Sequence, residues 1–273
     1  MLRTLAGRRI LITGASSGIG RCLAEQAASA GAHLVLAARS ADKLDELVRS
    51  LTPGATIAVA APTDLTLESE RRRLLETAVQ KLGGLDILVN NAGVASWGHF
   101  ADSTEEILRQ VMEVNFFAPA ELIRMAIPIL EKGTQPAVVN VASMCGRRGM
   151  PAWSEYSASK FALVGLTEAF RGELARFDID ILLILPGLTK SNLRHHLLRN
   201  EGRMRIDYEA GMPPEEVAAG IWNAVRKNRL ETVLGRDAKW MLRLNKFFPR
   251  LLDRLIARKV RRLYEEEAVA PVT

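Results

Sequence analysis

Residues 13–20 read Thr13-Gly14-Ala15-Ser16-Ser17-Gly18-Ile19-Gly20, directly after the apolar run Arg9–Thr13 and directly before a helical pattern. Glycines in such a turn have physical tasks. Gly14 permits a tight turn, Gly18 lets the backbone approach a pyrophosphate, and Gly20 lets the next helix pack closely on the strand. A diphosphate held there faces the free N–H groups of the helix N-terminus, which favour negative charge. A three-glycine turn alone marks only a strand–helix corner. At the end of the first strand of a βαβ unit it points to a dinucleotide site.

The surroundings supply that unit. Arg9–Thr13, His33–Ala38, Ala55–Ala60, Asp86–Val89, Ala137–Val141 and Ile179–Leu185 read as short buried strands. Between them lie segments long enough for crossover helices, starting near Gly18, Ala41, Thr66, Ser103 and Ser154. This alternation predicts an α/β fold with a parallel sheet covered on both faces. A seventh strand, Glu231–Leu234, follows a helix opened by Pro213-Pro214-Glu215-Glu216. The predicted organisation is one catalytic domain over 1–235 and a helical C-terminal extension over 236–273.

The second strand bears on the choice of dinucleotide. An Asp or Glu about 20 residues past the glycines binds a ribose 2′-OH, whereas an Arg accommodates a 2′-phosphate. Here the strand ends Ala37-Ala38-Arg39-Ser40, with no acid and a guanidinium in reach. Arg39 can grip a 2′-phosphate through charge-assisted hydrogen bonds. NADP(H) is therefore expected over NAD(H).

Tyr156-Ser157-Ala158-Ser159-Lys160 opens a helical stretch, so Tyr156 and Lys160 sit one turn apart on the same face. Ser143 lies just past the fifth strand, at the carboxyl edge where open α/β sheets bind ligands. With Asp64, Asn90-Asn91-Ala92-Gly93, Asn115 and Pro186-Gly187 in the same order, the chain resembles the short-chain dehydrogenase/reductase family over about residues 7–235. The resemblance implies a single Rossmann-type, doubly wound, seven-stranded parallel sheet in the order 3-2-1-4-5-6-7.

It also implies roles. Tyr156 exchanges a proton with the substrate oxygen, Lys160 stabilises the phenolate and bonds the nicotinamide ribose, and Ser143 positions the oxygen. A free phenol titrates at about 10, so acid–base work near neutrality needs that help. Asn115 is expected to hold a water linking Lys160 to solvent, or else simply to pack its helix. The implied cofactor contacts are Gly14, Ser16, Ser17, Gly18, Ile19, Gly20, Arg39, Asp64, Leu65, Asn91, Ala92, Gly93, Tyr156, Lys160, Pro186 and Gly187. Asp64 is placed at the adenine, and Asn90 and Gly93 along the adenosine and ribose. The family's carboxamide-binding Thr falls four residues past Gly187, where this chain has Ser191; Thr189 is the alternative. A homodimer or homotetramer is implied as well.

The substrate wall is expected from 94–100, 144–150, Trp153 and a lid over 191–208. Trp97, Phe100, Met144, Met150 and Trp153 suggest an apolar carbonyl or secondary alcohol, although Met and Trp also fill cores. Cys145 has no activating His in view and reads as a packing residue. The rival class on this fold is a catalytically silent cofactor sensor.

Composition limits the other possibilities. The 273 residues are 48% hydrophobic and 25% charged, enough for a large core without staples. Two cysteines, Cys22 and Cys145, make no disulfide framework, and no Cys/His spacing suits a metal. His195 and His196, adjacent and about 100° apart on a helix, are a poor metal pair. No signal peptide or membrane span is evident, so a cytoplasmic setting is expected.

The net charge of +6 is localised. Between Lys239 and Arg262 lie nine cations and one acid, so this stretch holds +8 and the rest sums to −2. Pro249 is expected to split the stretch into two helices. On the second, Leu251, Leu252, Leu255, Ile256, Val260 and Leu263 occupy one half of the wheel with most cations opposite. Such a helix suits peripheral contact with a membrane surface through 239–263, or docking on its own domain or a partner subunit. Nucleic acid is not expected, since no recognition module or interleaved aromatic surface is present.

Overall fold

Strand β1 (Arg9–Thr13) sends Ile10 and Ile12 to one face and Leu11 to the other, and all three are fully buried. Strict alternation with both faces apolar requires a helical layer on each side. The computed structural model describes residues 2–51, 56–190, 197–203 and 207–269, and shows both layers. β2 (His33–Ala38), β3 (Ala58–Pro62), β4 (Ile87–Asn90), β5 (Ala137–Val141), β6 (Asp180–Pro186) and β7 (Glu231–Leu234) complete one parallel sheet. Its order is β3-β2-β1-β4-β5-β6-β7.

One face is covered by α1 (Gly18–Ser29), α2 (Ala41–Leu51) and α7 (Pro214–Arg226), through Leu23, Leu44, Leu47, Val217 and Ile221. The other is covered by α3 (Glu68–Leu82), α5 (Ala118–Leu130) and α6 (Ser154–Glu173), through Leu74, Leu122, Ile123, Leu163 and Val164. A short α4 (Glu105–Met112) enters α5 through a wide π-type turn at Glu113–Phe117. The chain ends in α8 (Arg236–Phe247) and α9 (Pro249–Val269), broken at Pro249 as the sequence suggests.

Boundaries move by a few residues for identifiable reasons. The third strand starts at Ala58; Ala55, its expected start, lies outside the described residues. Asp86 precedes β4 because its carboxylate accepts from Arg9 N at 2.9 Å and Thr134 N at 2.7 Å and pairs with the Arg9 guanidinium at 2.7 Å. The helix expected near Thr66 begins at Glu68, since Thr66 turns back to donate to Asp64. That expected near Ser103 begins at Glu105, capped by the Thr104 hydroxyl, which accepts from Ile107 N at 3.3 Å.

The order reverses between β1 and β4, so their following crossovers diverge and leave a crevice at the carboxyl ends. The Thr13 hydroxyl ties the two strand ends together. It accepts from Asn91 N at 3.0 Å and Ala92 N at 3.1 Å while donating to Val89 O at 3.2 Å.

Candidate active site

The glycine turn forms the crevice floor. Gly14 has φ +67° and Gly18 φ +52°, the left-handed region that other residues enter at a cost. A Cβ on Gly14 would fall 2.8 Å from Ala92 Cα, and one on Gly20 2.1 Å from the Gly14 carbonyl oxygen. Asn91 Nδ2 donates to Thr13 O at 3.1 Å and Gly14 O at 3.3 Å, bracing the turn from β4. The Ser17 side chain does not cap α1, so the first-turn N–H groups face the crevice.

From this floor a continuous cleft of about 1770 Å³ opens. Ser16, Ser17, Ile19, Arg39, Asp64, Leu65, Asn91, Ala92 and Gly93 border it at one end, and Ser143, Tyr156, Lys160, Pro186, Gly187 and Thr189 at the other. Lys43, one turn into α2, borders it beside Arg39. Asp64 accepts from the Thr66 hydroxyl at 2.7 Å and Thr66 N at 2.9 Å. These bonds, aided by the nearby Arg39 charge, hold its carboxyl below the usual range against the opposing effect of burial.

The catalytic wall is built by β5 and α6. Lys160 Nζ lies 5.7 Å from the Tyr156 ring centroid and donates to Val141 O at 3.2 Å. Ser143 sits where β5 ends, its Oγ accepting from Cys145 N at 3.1 Å. Burial lowers Lys160 to about 8. It also raises Tyr156 well above an ordinary phenol, as does the neighbouring Cys145, while the Ser143 hydrogen bond draws it back. Burial raises the Cys145 thiol too, which suits a packing residue and not a nucleophile.

Two Asn side chains are held by neighbouring elements. Asn90 is 4% exposed and donates to Asn140 Oδ1 at 2.9 Å; Asn140 in turn donates to Thr167 Oγ1 at 2.9 Å. Strand alternation turns the Asn90 side chain into the core, away from the cleft that Asn91, Ala92 and Gly93 border. Asn115, in the π-type turn, donates through Nδ2 to Val94 O and Ser159 Oγ, both at 2.9 Å, and accepts from Val94 N at 2.9 Å. Its side chain fastens the Gly93–Val94 bend to α6. A Cβ on Gly93 would lie 3.2 Å from Asn115 Oδ1 and 3.6 Å from Lys160 Nζ, so the bend sits directly against the catalytic wall.

The substrate end is less as expected. Val94, Met144, Met150, Trp153 and Tyr208 border the cleft, but Trp97 and Phe100 do not. Trp97 stacks on Trp153 with centroids 6.2 Å apart and covers Gly202, while Phe100 is 58% exposed. Trp97 thus packs this loop, and Phe100 faces outward. Trp153 meets Tyr156 edge-on at 5.7 Å. Ser191, His195 and His196 lie outside the described residues. Met112, Val114 and Phe117 from the α4–α5 junction, and Lys259 from α9, also border the cleft and escaped sequence reasoning. So did Gly146, where a Cβ would fall 2.8 Å from Lys160 O; its absence lets the Ser143 turn close on α6.

Residues 8–202 match the family model described as short chain dehydrogenase. The chain belongs to this family. An uncharacterized oxidoreductase of Bacillus subtilis, YxnA, is 36% identical over 93% of this chain and 73% of its own length. A hydroxysteroid 11-beta-dehydrogenase 1-like protein of Gallus gallus is 38% identical over 80% of this chain and 75% of its own. The crystal structure of a short chain dehydrogenase/reductase from Burkholderia phymatum, in complex with NAD, superposes with a TM-score of 0.83 at 26% identity. That match covers 92% of this chain and 96% of the other. This short-chain dehydrogenase thus has the Rossmann-type sheet of its family and is an oxidoreductase of the class acting on CH–OH groups with NAD(P).

Proposed function

We propose that this short-chain dehydrogenase is an NADP(H)-dependent oxidoreductase that interconverts a lipophilic carbonyl and its secondary alcohol. The observation that carries this reading is one cleft with two cations, Arg39 and Lys43, at one end and Ser143, Tyr156 and Lys160 at the other. The dinucleotide fits the residues present. Gly14 and Gly20 let the turn close on Ala92 and on the next helix, Gly14 and Gly18 border the cleft, and the uncapped α1 N-terminus offers a diphosphate donors. Arg39 and Lys43 would hold the 2′-phosphate, and Pro186, Gly187 and Thr189 the nicotinamide end. When bound, the nicotinamide supplies or accepts the hydride.

The chain's own residues handle the oxygen. In the reduction direction, Ser143 holds the carbonyl oxygen by a hydrogen bond and Tyr156 delivers the phenolic proton to it. Burial keeps that proton on Tyr156 until the oxygen becomes basic. Lys160, protonated near neutrality because it titrates at about 8, then stabilises the phenolate left behind. Asn115 and Gly93 hold the loop opposite so that Lys160 stays seated against Val141 O. Val94, Met112, Met144, Met150 and Trp153 give the substrate end an apolar lining, which supports a lipophilic substrate.

The test has two parts. NADPH and NADH are titrated against the wild type and Arg39→Ala; equal affinities for both nucleotides in the wild type reject the NADP assignment. NADPH oxidation is then followed across a panel of carbonyls. Tight NADPH binding with no turnover on any carbonyl supports instead a silent sensor.

A further inference from the structure

The C-terminal hairpin does not present a single apolar half. The contacts divide it. On α8, Ala238 is fully buried, Leu242 packs against the core near Leu183 and Leu185, and Asn245 accepts from Arg148 at 3.0 Å. On α9, Leu252 is 4% exposed, and Asp253 accepts from Arg148 at 2.6 Å. These residues dock the hairpin on its own domain, one of the three roles the sequence allowed. The opposite face remains. Trp240 and Phe247, seven apart on α8, are 69% and 68% exposed, and Phe248 at the bend is 59% exposed. Leu251 and Leu255, one turn apart on α9, are 48% and 47% exposed. This is a concentrated outward apolar set, unlike scattered surface hydrophobes.

Cations surround that set. Arg243 lies over the Trp240 ring at 5.8 Å and Lys246 over the Phe247 ring at 5.7 Å. Arg254, Arg258 and Arg262 share the outer arc of α9 with Leu251 and Leu255. Among the described residues none of the nine cations in 239–262 has an ion-pair partner, and the stretch's one acid, Asp253, is engaged by Arg148.

We infer that the outer face of the α8–α9 hairpin docks on an anionic lipid surface, inserting Trp240, Phe247, Phe248, Leu251 and Leu255 between headgroups. Aromatic rings flanked by cations suit the headgroup boundary, where each cation adds electrostatic attraction. A second copy is a poor occupant, because facing hairpins, each with ten cations and five acids over 236–269, would oppose +5 with +5. Crossing the bilayer is not implied, as no described helix is long and apolar enough. Lys259, on the same helix, borders the cleft, so the docked surface lies beside it.

Flotation of the full chain with vesicles tests this. Vesicles of phosphatidylcholine alone are compared with vesicles containing phosphatidylglycerol, at low and high salt. At low salt, binding to the anionic vesicles is expected to exceed binding to neutral ones about tenfold or more, and to fall as salt screens the cations. The variant Trp240→Ser/Phe247→Ser/Leu251→Ser should lose most of this binding, and so should Arg243→Glu/Arg254→Glu/Arg258→Glu. Both sets alter exposed positions, and unchanged circular dichroism and melting would show an intact fold. Absence of flotation with anionic vesicles overturns the proposal, as does flotation of the apolar variant like the parent. Loss of a homodimer in that variant, with no vesicle binding by the parent, assigns the face to a second copy. Tight binding of duplex DNA without vesicle binding assigns it to nucleic acid.

Discussion

Lys160 and the nine cations of 239–262 carry the same kind of charge in opposite settings. Lys160 is 4% exposed, held by Val141 O, and pulled down to about 8. The tail cations are exposed or lie at helix edges, and none has an ion-pair partner among the described residues. Burial makes one charge chemically responsive and costly to keep. Exposure leaves the others in solvent, individually weak and useful only as a set. The same contrast separates what the molecule catalyses from where it docks.

Removing the buried charge gives the largest effect. Lys160→Met should lower the hydride-transfer rate by about 10³-fold, in the range for loss of acid–base assistance. The same variant should be more stable. Lys160 titrates below its ordinary value of 10.5, so the unfolded chain binds its proton more tightly. The penalty is fully present below pH 8 and is relieved as pH rises from about 8 to about 10.5. Lys160→Met should therefore gain up to about 3 kcal/mol at pH 7, and this advantage should vanish toward pH 10.5. Urea melts at several pH values measure it; a variant less stable than wild type at pH 7 breaks the comparison.

Next in size are Arg39 and Lys43, exposed cations with a specific anion to meet. Arg39→Ala should weaken NADPH binding about tenfold and leave NADH nearly unchanged. Lys43→Ala should act in the same direction, more weakly. Equal losses for both nucleotides would place these cations away from a 2′-phosphate. The smallest effect belongs to Arg148, whose bonds to Asn245 and Asp253 fasten the hairpin. Because Asp253 is 63% exposed, Arg148→Ala should cost about 1 kcal/mol. Faster proteolysis near Pro249 should accompany it, and unchanged cleavage kinetics would show that other contacts hold the hairpin.

The parallel sheet was legible because buried strands and glycine turns have strong local signatures. Gly14, Ser16, Ser17, Gly18, Ile19, Ser143, Tyr156 and Lys160 all reach the cleft, since each sits just past a strand end or in the first two turns of a helix. Asn91, Ala92 and Gly93 line the cleft, while the two-residue alternation of β4, carried to its last position, turns the Asn90 side chain inward. Trp97 and Phe100 suit a substrate wall by type, but Trp97 packs on Trp153 and Phe100 is 58% exposed, positions no local sequence signal marks. Lys259 and Met112 come from elements distant in sequence and carry no local signal. The apolar half of α9 was visible, yet its division between Leu252 and the exposed Leu251 and Leu255 depends on where the helix docks. Lys43 had a usable signal, a second cation one turn past Arg39.

The central claim rests on Tyr156 as the proton carrier of an NADP(H) reaction, and its most direct test is hydride transfer in Tyr156→Phe. NADPH oxidation by a lipophilic ketone that the wild type reduces should fall by about 10³-fold or more. NADPH binding, followed by its fluorescence, should stay within a fewfold of wild type. Turnover by Tyr156→Phe at the wild-type rate would contradict the account.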